Sequence, residues 1–141
     1  MASVAYTRGL ERVLNGAVNL SAVAVKALLT TAAYAEGKNT HAFRSQITNE
    51  VAAGAGYAAG GVTVTASVVR DEANSRIDLA LGAASWTAPA GATLTARKIV
   101  YYVSSGSATT DTLLACIDFG ADQSATNQAL NVAASTVRVQ N

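Results

Sequence analysis

The stretch GYAAGGVTVTASVV, residues 56–69, changes character in its middle. Up to Gly61 it is loose and built of small residues. From Val62 it alternates: Val62, Val64, Ala66 and Val68 on one side, Thr63, Thr65 and Ser67 on the other. Alternation at period two is the pattern of a half-buried β-strand. The stretch therefore predicts a strand over residues 61–69. Gly60 and Gly61 lead into it, and their freedom at positive φ lets the chain turn sharply there. These glycines do not make a phosphate loop, which needs a strand before them and a helix after them.

The next residues, RDEANS (70–75), read as a polar turn. Residues 76–81 alternate again, with Ile77, Leu79 and Leu81 on one face, so the two segments predict a hairpin. Further strands are expected at 22–30, around Trp86, at 93–103, at 112–119, and near 129–133 and 136–139. Pro89 and Gly91 punctuate a turn. In the 112–119 strand, Leu113, Ala115, Ile117 and Phe119 point inward. The 93–103 strand puts Leu94, Ala96, Lys98, Val100 and Tyr102 on one face and Ile99, Tyr101 and Val103 on the other. Apolar on both faces over its second half, it is either central and covered or part of a contact surface. KNTHAFRSQI (38–47) offers one helical turn capped by Thr40. At the start, Tyr6, Leu10, Val13 and Leu14 recur at helical spacing before the stop signal Asn15-Gly16.

Many short strands with turn signals between them predict an all-β fold, a sandwich or barrel, with a short N-terminal helix. The 141 residues form one domain, divided into a helical arm (1–16) and a β region (17–141). Val62, Val64, Ile77, Leu79, Leu113, Ile117 and Phe119 are the expected core.

Charged residues make up 13% of the chain, against about 25% in an ordinary soluble domain. The surface must then be rich in Ala, Ser, Thr, Asn and Gln. Such a surface costs little to desolvate and suits contact with other protein. A net charge of +1 provides no field for nucleic acid or an anionic membrane, so neither is an expected partner. Arg97 and Lys98 are adjacent and point to opposite faces of a strand, so they form no basic patch. Residues 17–35 follow Arg8 and Arg12 and end in AAYA, as a signal peptide would. Asn19 and Lys26 interrupt the run and its alternation is that of a strand, so secretion is not expected. No run approaches a membrane span.

The sequence offers little chemistry. His41 is the only histidine and Cys116 the only cysteine, which excludes an internal disulfide. No G-x-S-x-G elbow is present. Cys116 reads as a small buried hydrophobe and His41 as a local hydrogen-bonding group. Asp118 and Asp122 lack the acidic series of a calcium loop, and Asp118 reads as the acceptor of an Asx turn. No enzyme activity, metal or cofactor is expected.

Several pieces have a familiar form. TRGLERVLNGAVNL, VKALLTTAAY with HAFRSQI, GYAAGGVTVT, TLTARKIVYY and ACIDFG occur in an order that resembles small virion structural proteins of tailed bacteriophages, in particular the capsid cement (decoration) proteins of podophages. The likeness covers nearly the whole chain, and none of its motifs is catalytic. It implies a β-sandwich of jelly-roll type docked outside an HK97-like capsid. It also implies the major capsid protein as partner, homodimers near local two-fold positions, and a location on the virion after assembly in the host cytoplasm. A tail or neck component, which would form rings, and a free-standing ligand-binding β module are the alternatives. The module would need exposed aromatics. Candidate interface residues are Tyr6, Arg8 and Arg12 in the N-terminal arm, with Lys98 and Tyr101 on the long strand.

Overall fold

The structure is a computed structural model and describes residues 2–140. The elements run β1 (Ala2–Ala5), α1 (Thr7–Leu14), β2 (Ala24–Thr30), a 3-10 turn (Arg44–Gln46), β3 (Val62–Val64), β4 (Ala66–Asp71), β5 (Arg76–Leu81), β6 (Ala84–Thr87), β7 (Thr93–Ser104), β8 (Thr112–Thr126), β9 (Ala129–Val132) and β10 (Ser135–Gln140). The fold is all-β with one short helix. A five-stranded sheet has the order β1-β8-β7-β2-β3, a three-stranded sheet the order β10-β5-β4, and β6 pairs with β9. The neighbouring strands are antiparallel throughout.

The five-stranded sheet is covered on both faces. Its inner face contributes Val25, Ala27, Leu29, Ile99, Tyr101 and Val103 to the main core, where they meet Leu79, Leu81, Trp86, Leu130 and Val137 from the two smaller sheets. Its outer face carries Leu28, Val100, Tyr102, Leu113 and Cys116, which pack with Tyr6 and Tyr34 in a second cluster. The two-sided apolar pattern of the long strand thus marks a central, covered strand.

Alternation did not reveal where the opening stretch divides. Val62–Val64 pairs with β2 in the five-stranded sheet, whereas Ala66–Asp71 pairs with β5 in the three-stranded sheet. Thr65 is the crossing point, and its carbonyl accepts the Gly82 N–H at 2.7 Å. What reads as one strand is two, and the covalent link between them closes one side of the layered structure. The hairpin of β4 with β5 forms as expected.

Two irregularities in the β7–β8 pair re-aim side chains. Tyr101 faces Ala115 but Tyr102 faces Leu113, so Leu114 is an extra residue, a β-bulge. Leu113 therefore joins the outer cluster, while Leu114 and Ala115 join the main core. Farther along, Ala96 pairs with Gln123 and Lys98 with Asp118, so four residues of β8 oppose Arg97 alone. The shift puts Leu94 and Ala96 in the same core as Ile99 and Tyr101, although simple alternation separates them.

The core expectation needs correction. Val64, Leu79 and Leu113 are buried; Val62, Ile117 and Phe119 are half-buried against the main core. Ile77 is exposed, because its end of the three-stranded sheet projects past the layer it packs on. Thr40 does not cap the helical turn; the turn starts after Phe43, and the Gln46 side chain accepts the Phe43 N–H at 3.0 Å.

The N-terminal segment is not a free arm. Ala2–Ala5 pairs with residues 115–118 of β8. Tyr6 is fully buried, and Gly9 lies so close to β8 that a Cβ there would sit 1.6 Å from the Leu113 carbonyl oxygen. The helical periodicity was legible, but the strand before it is only four residues of small side chains. The helix packs on its own sheets, against β8.

Candidate interaction surface

The motifs that carry the family resemblance turn out to join one another. Gly60 and Gly61 both have positive φ, and the Tyr102 hydroxyl donates to the Gly60 carbonyl at 2.7 Å. Arg97 donates to Asp118 at 2.7 Å, and the Gly120 N–H donates to the same carboxylate oxygen at 2.8 Å. The second bond is the expected Asx turn, and it anchors the irregular segment of β8. Lys98 is buried and donates to the Tyr34 carbonyl at 2.8 Å and to the Glu36 carboxylate. Three separated motifs are thereby tied into one framework around β7.

A buried polar chain lies under the 31–50 loop. The Tyr6 and Tyr34 hydroxyls are 2.8 Å apart, and the Tyr34 hydroxyl is 3.1 Å from His41 Nδ1. The Gly37 N–H also donates to that nitrogen, at 3.4 Å. His41 is thus a local hydrogen-bonding group. Burial pushes the Tyr34 hydroxyl up to about 12, and burial likewise pushes the Cys116 thiol up to about 12. A buried thiol with so little thiolate is a poor nucleophile. Native protein is therefore expected to resist iodoacetamide at pH 8 and to be alkylated in denaturant. Rapid labelling of the folded chain, followed by mass spectrometry, would contradict that placement.

Three aspartates have pKa values held low. At Asp111 burial works against ionisation, but the Ser105 N–H and hydroxyl and the Arg44 guanidinium outweigh it. At Asp118 the Arg97 hydrogen bond dominates, and at Asp71 the Asn74 side chain does. Carboxyls held low in the fold bind protons more readily once unfolded. Their stabilisation is present above the ordinary carboxylate range, near about pH 4, and is lost as pH falls through the depressed values. The denaturant midpoint is expected to drop between pH 6 and pH 3; a constant or rising midpoint would contradict this.

The candidate interface residues fall into two groups. Tyr6, Tyr101 and Lys98 are buried and present no surface to a partner in this conformation. Large aromatic rings gain most by burial, and Lys98 is drawn in by its carboxylate and carbonyl partners. Arg8 and Arg12 lie on α1. Arg8 is exposed and donates to the Asn39 carbonyl at 3.3 Å. Arg12 is half-buried, donates to Thr112 Oγ1 at 3.0 Å and lies over the Phe43 ring. The two groups share no common site. Trp86 and all five tyrosines are buried, so they provide no stacking surface for a sugar. Among the described residues no group of three or more metal-ligating side chains occurs.

Sequence reasoning missed the main exposed apolar surface. In the three-stranded sheet, Ala66, Leu81 and Ser135 are opposite one another, as are Val68, Leu79 and Val137, and then Arg70, Ile77 and Val139. Directly opposed residues share a face, and so do residues two apart. This face is buried at Leu81, Leu79 and Val137, and then runs out past the core. Val68, Ile77 and Val139 on it are 58%, 48% and 40% exposed. Val69, on the other face, is 48% exposed. The only signal in the sequence was the paired valines Val68 and Val69, apolar on both sides of one strand. No protein-family model, no curated protein and no solved structure matches the chain.

Proposed function

We propose that this chain is a non-enzymatic structural protein of a tailed-phage virion, a cement protein that binds the outside of an HK97-like capsid and bridges major capsid protein subunits. In this reading the layered sheets form a jelly-roll-type sandwich and the chain acts as a dimer near local two-fold positions. The observation that carries the reading is the end of the three-stranded sheet that runs past the core, where Val68, Ile77 and Val139 are exposed among the ion-paired Arg70, Glu72 and Arg76. The motif resemblance supports it too. Three exposed aliphatic side chains make a patch well short of the roughly 800 Å² per partner of a free-standing complex. Such a patch suits a contact repeated many times on a shell, where weak sites act together.

The test uses shells assembled from the major capsid protein of the genome that encodes this chain. The native protein is expected to co-sediment with them. A Val68→Lys/Ile77→Lys variant should fold normally, because both positions are already exposed, and should bind about tenfold or more weakly, the loss of a hot-spot contact. Failure of the native chain to co-sediment at any concentration would contradict the reading.

A further inference from the structure

The two layers meet differently on their two sides. On one side the edge strands β3 and β4 are consecutive in the chain, and Thr65 joins them. On the other side the edge strands are β1 and β10, which pair with β8 and β5 and not with each other. Between them lies a cleft of about 450 Å³. Its lips are Ser3–Ala5 and Ser135–Arg138, and its floor is Leu81, Ala115, Ile117 and Val137. We infer that this open seam receives an extended, uncharged strand contributed by another protein, which adds to the free edges and closes the layers on that side.

The hydrogen bonding of the seam selects a strand. Each lip is an edge whose outer N–H and C=O groups face no partner strand, and only an extended chain satisfies a row of such groups. A helix would leave them unpaired, since its own backbone groups are already bonded. A second copy of this chain fits less well. Two-fold pairing of β1 with β1, or of β10 with β10, covers one lip and leaves the other open.

The lining sets the chemistry of the occupant. Ser3 opposes Ile117 and Ala5 opposes Ala115, so the β1 lip presents small side chains toward the floor. Of the residues lining the cleft only Arg138 is charged, and its guanidinium lies 3.3 Å from Asp78. A charge on the incoming segment would find no free partner and would be desolvated at a cost.

The test does not depend on any virion role. The probe is a capped hexapeptide alternating threonine and valine, added to the purified full chain and followed by hydrogen exchange with mass spectrometry. Saturating peptide is expected to slow exchange about tenfold in both 2–5 and 135–140, leaving β2 and β7 unchanged. Ser3→Trp and Thr136→Trp, at exposed positions on opposite lips, crowd the mouth and should abolish this protection while the melting temperature stays close to that of the native chain. A peptide with prolines at its third and fifth positions should give none. Absence of protection, equal protection by the proline peptide, or protection retained in both tryptophan variants would overturn the proposal. So would concentration-dependent protection of both lips in the chain alone, with dimer mass, which would make the occupant a second copy.

Discussion

Replacing Gly61 with valine is expected to leave little folded protein. Gly61 has φ +73, and a Cβ built there would lie 1.8 Å from the Ala27 carbonyl oxygen and 2.6 Å from its carbon. Both atoms are backbone of β2, the strand with which β3 pairs, so nothing flexible can yield. Left-handed strain and overpacking each cost roughly 1–3 kcal/mol, and together they approach the whole stability of a marginal domain. Gly91→Ala separates the two causes. That glycine has φ +81 with nothing within 4 Å of the built Cβ, so only the conformational penalty applies. Denaturant midpoints should show the Gly61 variant much the worse; equal losses would mean that the close approach to β2 is wrong.

The second large effect is expected at Asp111. Its side chain is 2% exposed and makes a 2.8 Å ion pair with Arg44, while Ser105 donates to it from both backbone and hydroxyl. The pair holds the loop before β8 against the 3-10 turn, since the Arg44 N–H also donates to the Asp111 carbonyl at 2.9 Å. Asp111→Ala leaves the half-buried Arg44 guanidinium and the Ser105 N–H without their acceptor. Breaking a buried pair from one side costs about 3–5 kcal/mol. Arg138→Ala, which removes an exposed partner of Asp78, should cost no more than about 1 kcal/mol. Similar losses for the two variants would show that Asp111 is not the anchor of this loop.

Both residues show what a sequence can and cannot disclose. The all-β class, the β4–β5 hairpin and the two late strands were legible because period two is a local property. The positive φ at Gly60 and Gly61 and the Asx turn at Asp118 were legible because turn chemistry is local as well. The division of the opening stretch at Thr65 was not legible. Alternation continues through a change of sheet, because Val62, Val64 and Ala66 turn toward the same core on either side of Thr65. The bulge at Leu114 was hidden for a related reason: Leu113 and Leu114 are equally apolar, and only their partners decide which core each enters. Ile77 has the pattern of a core residue, and its exposure follows from how far one sheet projects past another. The interface residues depended on tertiary packing in the same way. Tyr101 and Lys98 went inward with β7, and Tyr6 was pinned beneath the 31–50 loop by Tyr34.

Thermal melting of the shell tests the proposed role most directly. A partner that binds only the assembled state stabilises that state by linkage, in proportion to the logarithm of its free concentration above the dissociation constant. Shells of the cognate major capsid protein, heated with and without this chain, should disassemble at a higher temperature when it is present. The shift should grow with added protein and shrink with the Val68→Lys/Ile77→Lys variant. A melting temperature unaffected by saturating native protein would contradict the cement reading.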